Sequence, residues 1–438
     1  MDAAPIAVAQ FRESLDALLA SLGEQGEGTL ALAVSGGSDS MALLRLAHDA
    51  YPGRIAAVTV DHGLRPSSAA EARQVGEWCR TLGAEHRILR WQGQKPATGL
   101  QRRAREARYQ LLAEAAAQLG RSGLAAPLIV AHTLDDQAET FLLRLSHGSN
   151  LGGLGAMRAS SEIPSTPPVP LLRPLLEHSR SALRTTLQAY GQRWIDDPSN
   201  EDQRFERVRL RHLLPSLEVQ GLRRESLAQA AALMARIDER LLSTAIAACP
   251  YQVSPEGVAT FGCDAFAGLP LSASIRFLSF LLRVVGGDPY PPGRSSLDGL
   301  AARMKANAPG ATLGGCALRR SRGTWVVRRE ARAAARSRTT VSGDACIALW
   351  DNRFWVRLPP GFGGGAVVAE GTMLGLQTEN GPVRGLVVAE DARAFRLASK
   401  LPIALFVGEA RMRRELGALW RQVMKDTPVM ECYAATLS

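Results

Sequence analysis

Lysine is scarce in this chain, occurring only at Lys95, Lys305, Lys400 and Lys425, so the formal net charge of +10 rests on arginine. Alanine is abundant beside it, as a GC-rich genome would produce, and the placement of the charge therefore informs more than its total. Cysteine is sparse as well. Cys79, Cys249, Cys263, Cys316, Cys346 and Cys432 are scattered, with no C-x-x-C pair and no clustered histidine. That argues against zinc and iron–sulfur sites and predicts reduced, mostly buried thiols. Long apolar runs are missing too. The best candidate, "SIRFLSFLLRVV", is broken by Arg276 and Arg283 and falls short of the roughly 18 residues a membrane span needs. The first residues, "MDAAPIAVAQFRESLDALLASLG", carry acids and no basic leader, which predicts an amphipathic helix and not a signal peptide. A cytoplasmic protein without membrane contact is expected.

What is present reads as globular. The 438 residues are 46% hydrophobic and 21% charged, enough for two or three domains. From residue 29 to about 195, strand-like and helix-like stretches alternate: "LALAV", "IAAVTVDHG", "HRILRW" and "PLIVAHT", each followed by a helical pattern. Such alternation predicts an α/β fold with a parallel, doubly wound sheet, whose ligands sit beyond the carboxyl ends of the strands. The segment "ALAVSGGSDS" runs a buried strand into a turn of glycines and hydroxyls that opens a helix. Converging backbone N–H groups and the helix dipole make that turn suitable for an anion. It lacks the Gly-Lys-Ser/Thr of a Walker loop, and the plainer reading is a serine-capped turn. "DHGLR" and "AHTLDDQAET" follow later strands and fall at the same sheet edge. In the latter, Asp136 and Glu139 stand at i, i+3 and project from one side of a helix start. They suit either the helix dipole alone, or a divalent cation with nucleotide, or an amine; Asp39 can join them.

Positive charge gathers in two knots. Eight arginines lie between Arg319 and Arg338 against the single acid Glu330, and "QRRAREAR" carries Arg102, Arg103, Arg105 and Arg108. Both are consistent with a nucleic-acid surface or with solvated faces. The Pro-rich stretch 160–176, "SSEIPSTPPVPLLRPLL", reads as a crossing surface loop, and "RAAARSRTTVSG" as a linker. The expected organisation is an N-terminal helix over 1–24, a doubly wound domain over 25–215 and a helical or mixed nucleic-acid-binding domain over 216–330. A linker over 331–343 and a small β-rich module over 344–438 complete it.

"AVSGGSDSMALL" resembles the pyrophosphate loop of the N-type ATP pyrophosphatases (PP-loop enzymes). Within that superfamily "VDHGLRPSSAAEA", "AREARYQLL", "AHTLDDQAET", "HGSNLGGLGAM", "LLRPLL" and "DDPSNEDQRFERVRLRHLLP" resemble the tRNA(Ile)-lysidine synthase family. The likeness runs in order from about 29 to 215 and more weakly to about 330. It implies that ATP adenylates C2 of the wobble cytidine in the CAU anticodon of an isoleucine tRNA, that free L-lysine then displaces AMP, and that lysidine results. It further implies that Ser35, Gly36, Gly37, Ser38, Asp39 and Ser40 cradle pyrophosphate and that His62 lies by the adenosine. Asp136 and Glu139 would grip lysine, Asp39 and Asp136 would hold Mg2+, and Arg207 would face the α-phosphate. Arg105, Arg108, Arg209, Arg211, Arg319 and Arg320 would meet tRNA, and a homodimer is compatible with the family. The chain departs from the family pattern at Thr133, where a second histidine is usual, and at Val208, where asparagine is usual.

Three rivals differ in what they require. A tRNA thiolase of the same superfamily needs paired cysteines, and Cys79 near the site motifs stands alone. An amidotransferase-type synthetase would leave the basic knots idle, and no glutaminase nucleophile is evident. A non-catalytic RNA-binding protein would have no reason to keep Ser35 to Ser40, Asp136 and Glu139 together.

Overall fold

The computed structural model describes residues 4–23, 27–92, 95, 99–121, 124–163, 165, 169–196, 202–254, 257–288, 290–341, 347–351, 353–357, 365–370, 373–378, 381–383, 387–388 and 403–406. They fall into two units, 1–235 and 236–438. In the first, α1 (Val8–Ala20) precedes β1 (Leu30–Ala33), α2 (Ser38–Ala50), β2 (Ile55–Asp61), α3 (Ser68–Thr81) and β3 (Glu85–Arg90). Then come α4 (Leu100–Leu119), β4 (Leu128–Ile129), α5 (Leu134–Ser146), α6 (Leu151–Leu154), β5 (Ser160–Ile163) and β6 (Val169–Leu172). The helices α7 (Arg180–Ala189), α8 (Glu206–Val219) and α9 (Arg224–Ala248) follow, the last running into the second unit.

The sheet order is β3-β2-β1-β4-β6-β5, parallel throughout except for the β5–β6 pair. Its central strand β1 is buried on both faces, which is why its sequence is apolar without alternation. Leu30, Leu32 and Val34 pack with Phe11, Met41, Leu44, Val75 and Leu187, from α1, α2, α3 and α7. Ala31 and Ala33 face the other way, onto Leu112, Ala113 and Ala116 of α4. Small residues on both sides let that helix lie close to the strands. The doubly wound arrangement expected from the alternation is therefore present. The chain leaves β1 for β2 on one side and reaches β4 on the other, so the topological switch point lies between β1 and β4.

The stretch 160–176 is not the surface loop its prolines suggested. Val169–Leu172 is a fully buried strand between β4 and β5. Toward β4 only Leu171 and Leu172 are paired, so the missing N–H of Pro170 interrupts no bond in that ladder. Apolar burial outweighed local composition here. No helix among the described residues is long and apolar enough to cross a membrane.

In the second unit β7 (Tyr251–Val253), β8 (Ala259–Gly262), β9 (Gly310–Leu313), β10 (Cys316–Ser321) and β11 (Thr324–Arg329) form an antiparallel sheet in the order β7-β8-β11-β10-β9. Helices α10 (Cys263–Ala267), α11 (Leu271–Gly286) and α12 (Arg294–Lys305) share its core, in which Phe261, Phe277, Phe280 and Trp325 are buried. The predicted mixed character of this region is thus a layer of helices on a sheet. Where a linker was expected, Ala331–Ala335 is helical and Arg338–Val341 is a strand. Short strands between Ile347 and Phe406 continue the β-rich character. Cys79, Cys249, Cys263 and Cys316 are free and buried; Cys346 and Cys432 lie outside the described residues.

Candidate active site

The turn after β1 and the start of α5 after β4 meet at the switch point. Gly36 has φ +92°, and a Cβ there would come within 2.8 Å of Ile195 Cδ1 and 2.9 Å of Val75 Cγ2. Both the backbone conformation and the space demand glycine. Gly37 is the N-cap of α2, and its carbonyl accepts from the Met41 N–H. Ser40 Oγ donates to that carbonyl at 3.0 Å and accepts from Ser35 N at 3.1 Å, closing the turn on itself. The N–H groups at the head of α2 thus face the turn, an arrangement able to receive an anion.

Thr133, the residue that replaces the family's second histidine, is fully buried and caps α5. Asp136 Oδ2 accepts from Thr133 N at 2.9 Å and from Thr133 Oγ1 at 3.1 Å, completing a capping box. That box fixes the Asp136 rotamer and turns Oδ1 outward, where Arg207 donates at 2.7 Å and Arg180 at 3.4 Å. Glu139, with no exposed surface, is held by Arg207 at 2.7 Å, Arg211 at 2.8 Å and Arg180 at 3.5 Å. Arg180 also reaches Asp39 at 3.1 Å. One guanidinium therefore joins the α2 head to both acids of α5.

The sequence reading began the helical region at 216 and gave Arg207 and Arg211 different tasks, whereas both lie on α8, which starts at Glu206. They stand at i, i+4 on α8, so both face α5, whereas Arg209 turns away and donates to the carbonyls of Gln203 and Arg204. Val208 fills a buried position on the same helix. Arg180 was missed altogether. Its signal is a broken local rule: it follows the N-cap Ser179 directly, where the dipole of α7 disfavours a cation. Asp135 compensates by accepting from the Arg180 N–H at 2.7 Å.

Burial raises the pKa of Asp39, and the neighbouring Asp136 charge adds to this against the pull of Arg180. At Asp136 burial pushes the same way, yet Arg207 and Arg180 outweigh it and hold the carboxyl below its ordinary range. Arg180 and Arg207 gain from these acids what burial takes from them, and both are raised. His132 sits between the acids and a second unforeseen residue, the buried Arg173, whose Nε lies 3.2 Å from its Nδ1. Burial, with help from Arg173, drops the His132 pKa to about 3 despite Asp136, so the ring is a neutral acceptor.

His62 is half-buried after β2 with its ring edge-on to Trp91 at 6.0 Å. Its buried Nδ1 has no hydrogen-bond partner among the described residues. Arg105 is exposed and stacks on Tyr109 at 5.0 Å, and Arg108 is half-buried on the same helix α4. A cavity of about 480 Å³ opens between β3 and α4, lined by Trp91, Gln92 and Gln110 among others, at the β3 edge of the sheet. Arg319 and Arg320 are exposed on β10.

Arg180 bridges Asp39 and Asp136, the two carboxylates expected to hold magnesium. Magnesium takes one or two carboxylates together with phosphate oxygens, so an ion between these acids would have to displace that guanidinium.

A family model described as a PP-loop domain matches residues 8–217. A Bradyrhizobium protein described as tRNA(Ile)-lysidine synthase is 42% identical over 308 residues, covering 67% of this chain and 84% of its own length. One from Rhodopseudomonas palustris with the same description is 43% identical over 287 residues, 64% of this chain and 81% of that protein. One from Methylobacterium nodulans is 40% identical over 333 residues, 74% of this chain and 95% of that protein. With this likeness over most of their length, and with the PP-loop turn and the acids of α5 gathered at one sheet edge, the chain belongs to the tRNA(Ile)-lysidine synthase family.

Proposed function

We propose that this ATP-dependent ligase joins free L-lysine to C2 of the wobble cytidine in the CAU anticodon of tRNA(Ile). The observation that carries the reading is the meeting of the α2 anion cradle with the Asp136–Glu139 pair across Arg180. In the first step the C2 oxygen of the cytidine attacks the α-phosphorus of ATP. Pyrophosphate leaves toward Ser35 to Ser40, where backbone N–H groups and the α2 dipole receive its charge. Arg207 stays paired with Asp136 and Glu139 beside the place proposed for the α-phosphate, and the Nδ1 of His62, unpartnered among the described residues, is proposed to meet the adenosine. In the second step the lysine amine attacks C2, the C2–O bond breaks, and AMP departs with that oxygen.

The amine must be neutral to attack. With an ordinary pKa near 10.4, losing its proton at pH 7 costs roughly 4 to 5 kcal/mol. Asp136 and Glu139 orient the ammonium and are placed to accept its proton as the C–N bond forms. Arg105, Arg108, Arg209, Arg319 and Arg320 supply exposed or half-exposed cations for the tRNA, its splayed anticodon base included. Arg211, spent on Glu139, acts instead as part of the acid cluster. The work is that of a cytoplasmic enzyme.

The test is incorporation of labelled lysine into a tRNA(Ile) transcript bearing CAU, with and without ATP, followed by a mild alkali wash that removes aminoacyl esters. ATP-dependent, alkali-stable label that disappears when the wobble C becomes U supports the reading. Its absence from folded protein overturns it.

A further inference from the structure

We infer that Arg180 makes lysine capture depend on bound nucleotide: its guanidinium, bridging Asp39 to Asp136 and Glu139, holds the place of the substrate ammonium until a phosphate draws it away. The inference rests on the function proposed above and goes beyond it by assigning a positioning residue and an order of binding.

The acid cluster is saturated without substrate. Asp136 Oδ2 accepts from Thr133, Asp136 Oδ1 from Arg207 and Arg180, and both Glu139 oxygens from arginines. Three carboxylates (Asp39, Asp136, Glu139) face three guanidiniums (Arg180, Arg207, Arg211), and the neighbouring Asp135, which accepts from the Arg180 N–H, is paired with Arg224, so the charges balance one for one. A lysine ammonium entering this arrangement is a fourth cation against three anions, with every acceptor already taken. Burying it there uncompensated is unfavourable.

Of the three guanidiniums, Arg180 is the one to yield. Arg207 and Arg211 bind the α5 acids at 2.7 to 2.8 Å, whereas Arg180 reaches them at 3.4 and 3.5 Å. Arg180 alone among them extends to Asp39, in the first turn of α2, beside the cradle where phosphate is expected. A guanidinium pairs bidentately with phosphate oxygens, so nucleotide at the α2 head competes for this side chain directly. Once Arg180 turns to phosphate, three carboxylates face two guanidiniums. The single unmatched negative charge is what an ammonium neutralises. Nucleotide therefore opens the lysine site, and by linkage lysine tightens nucleotide binding by the same factor.

Calorimetric titration of lysine into the full chain, with and without α,β-methylene-ATP, tests this. The expected result is lysine affinity at least about tenfold higher with the analogue present. Arg180→Gln should abolish that dependence, binding lysine equally with and without analogue, while Arg180→Lys, which keeps the cation, should preserve it. Equal lysine affinity in the two wild-type titrations overturns the inference, as does an undiminished nucleotide effect in a folded Arg180→Gln protein. If Arg180→Gln fails to fold, the wild-type pair and Arg180→Lys decide. The labelled-lysine assay separates the two failures. Incorporation with nucleotide-independent lysine binding sinks the role of Arg180 alone, and no incorporation sinks the proposed reaction and this inference with it.

Discussion

At the scale of single residues, the site is an ion network whose members depend on one another. Asp136 serves it twice, with one oxygen capping α5 and the other receiving arginine. Asp136→Asn keeps an oxygen for one of these tasks and removes the charge. It should raise the lysine KM by about tenfold or more while leaving the tRNA Kd within about twofold. An equal loss of tRNA affinity in a folded variant would make the residue structural. His132 predicts a pH dependence. Folded, burial holds its pKa to about 3, against 6.5 ordinarily, so between those values the unfolded chain binds the extra proton. Its stabilising contribution is complete above about pH 6.5 and declines as pH falls toward 3. His132→Asn retains an acceptor for Arg173 and does not titrate. Urea melts between pH 6 and 4 should lose stability less steeply for this variant, by up to about 1.4 kcal/mol per pH unit. Parallel curves would show that the ring titrates normally.

At the scale of elements, function depends on what the ends of strands and helices present. In the β1–α2 turn a Cβ on residue 36 would collide with Ile195 and Val75, and the φ of +92° is outside the range comfortable for other residues. Gly36→Ala should cost about 1 to 3 kcal/mol of stability and abolish ATP-dependent pyrophosphate release. Nucleotide affinity equal to wild type would remove the turn from the site. Helix α8 shows the same principle from the other side. Its i, i+4 pair Arg207 and Arg211 turns one face to α5, and Arg209 is left to solvent. A helical wheel separates these three arginines, so their division of labour was readable once α8 was placed opposite α5.

At the scale of the molecule, cations lie far apart in the chain, on α4 and α8 in the first unit and on β10 in the second. Replacing Arg319 and Arg320 by Ala should weaken tRNA binding and reduce the slope of log Kd against log salt by roughly one for each phosphate no longer neutralised. Filter binding or anisotropy over a salt series measures this. An unaltered slope would mark those arginines as compositional.

What the sequence by itself determined is local and periodic. Alternating strand and helix patterns specified the doubly wound sheet, because both-face burial requires uninterrupted apolar strands. Glycines and hydroxyls between β1 and α2 marked the turn that opens α2 as a candidate anion site, and the i, i+3 spacing of Asp136 and Glu139 set both acids on one helix face. Tertiary structure decided the rest. Val169–Leu172 became an inner strand because burial between β4 and β5 prevails over proline-rich surroundings. Arg180 entered the site from 141 residues beyond Asp39 through the placing of α7. Its guanidinium lies between the two acids Asp39 and Asp136 because charge neutralisation among buried acids depends on which cations the packed helices bring near. No spacing along the chain records that meeting.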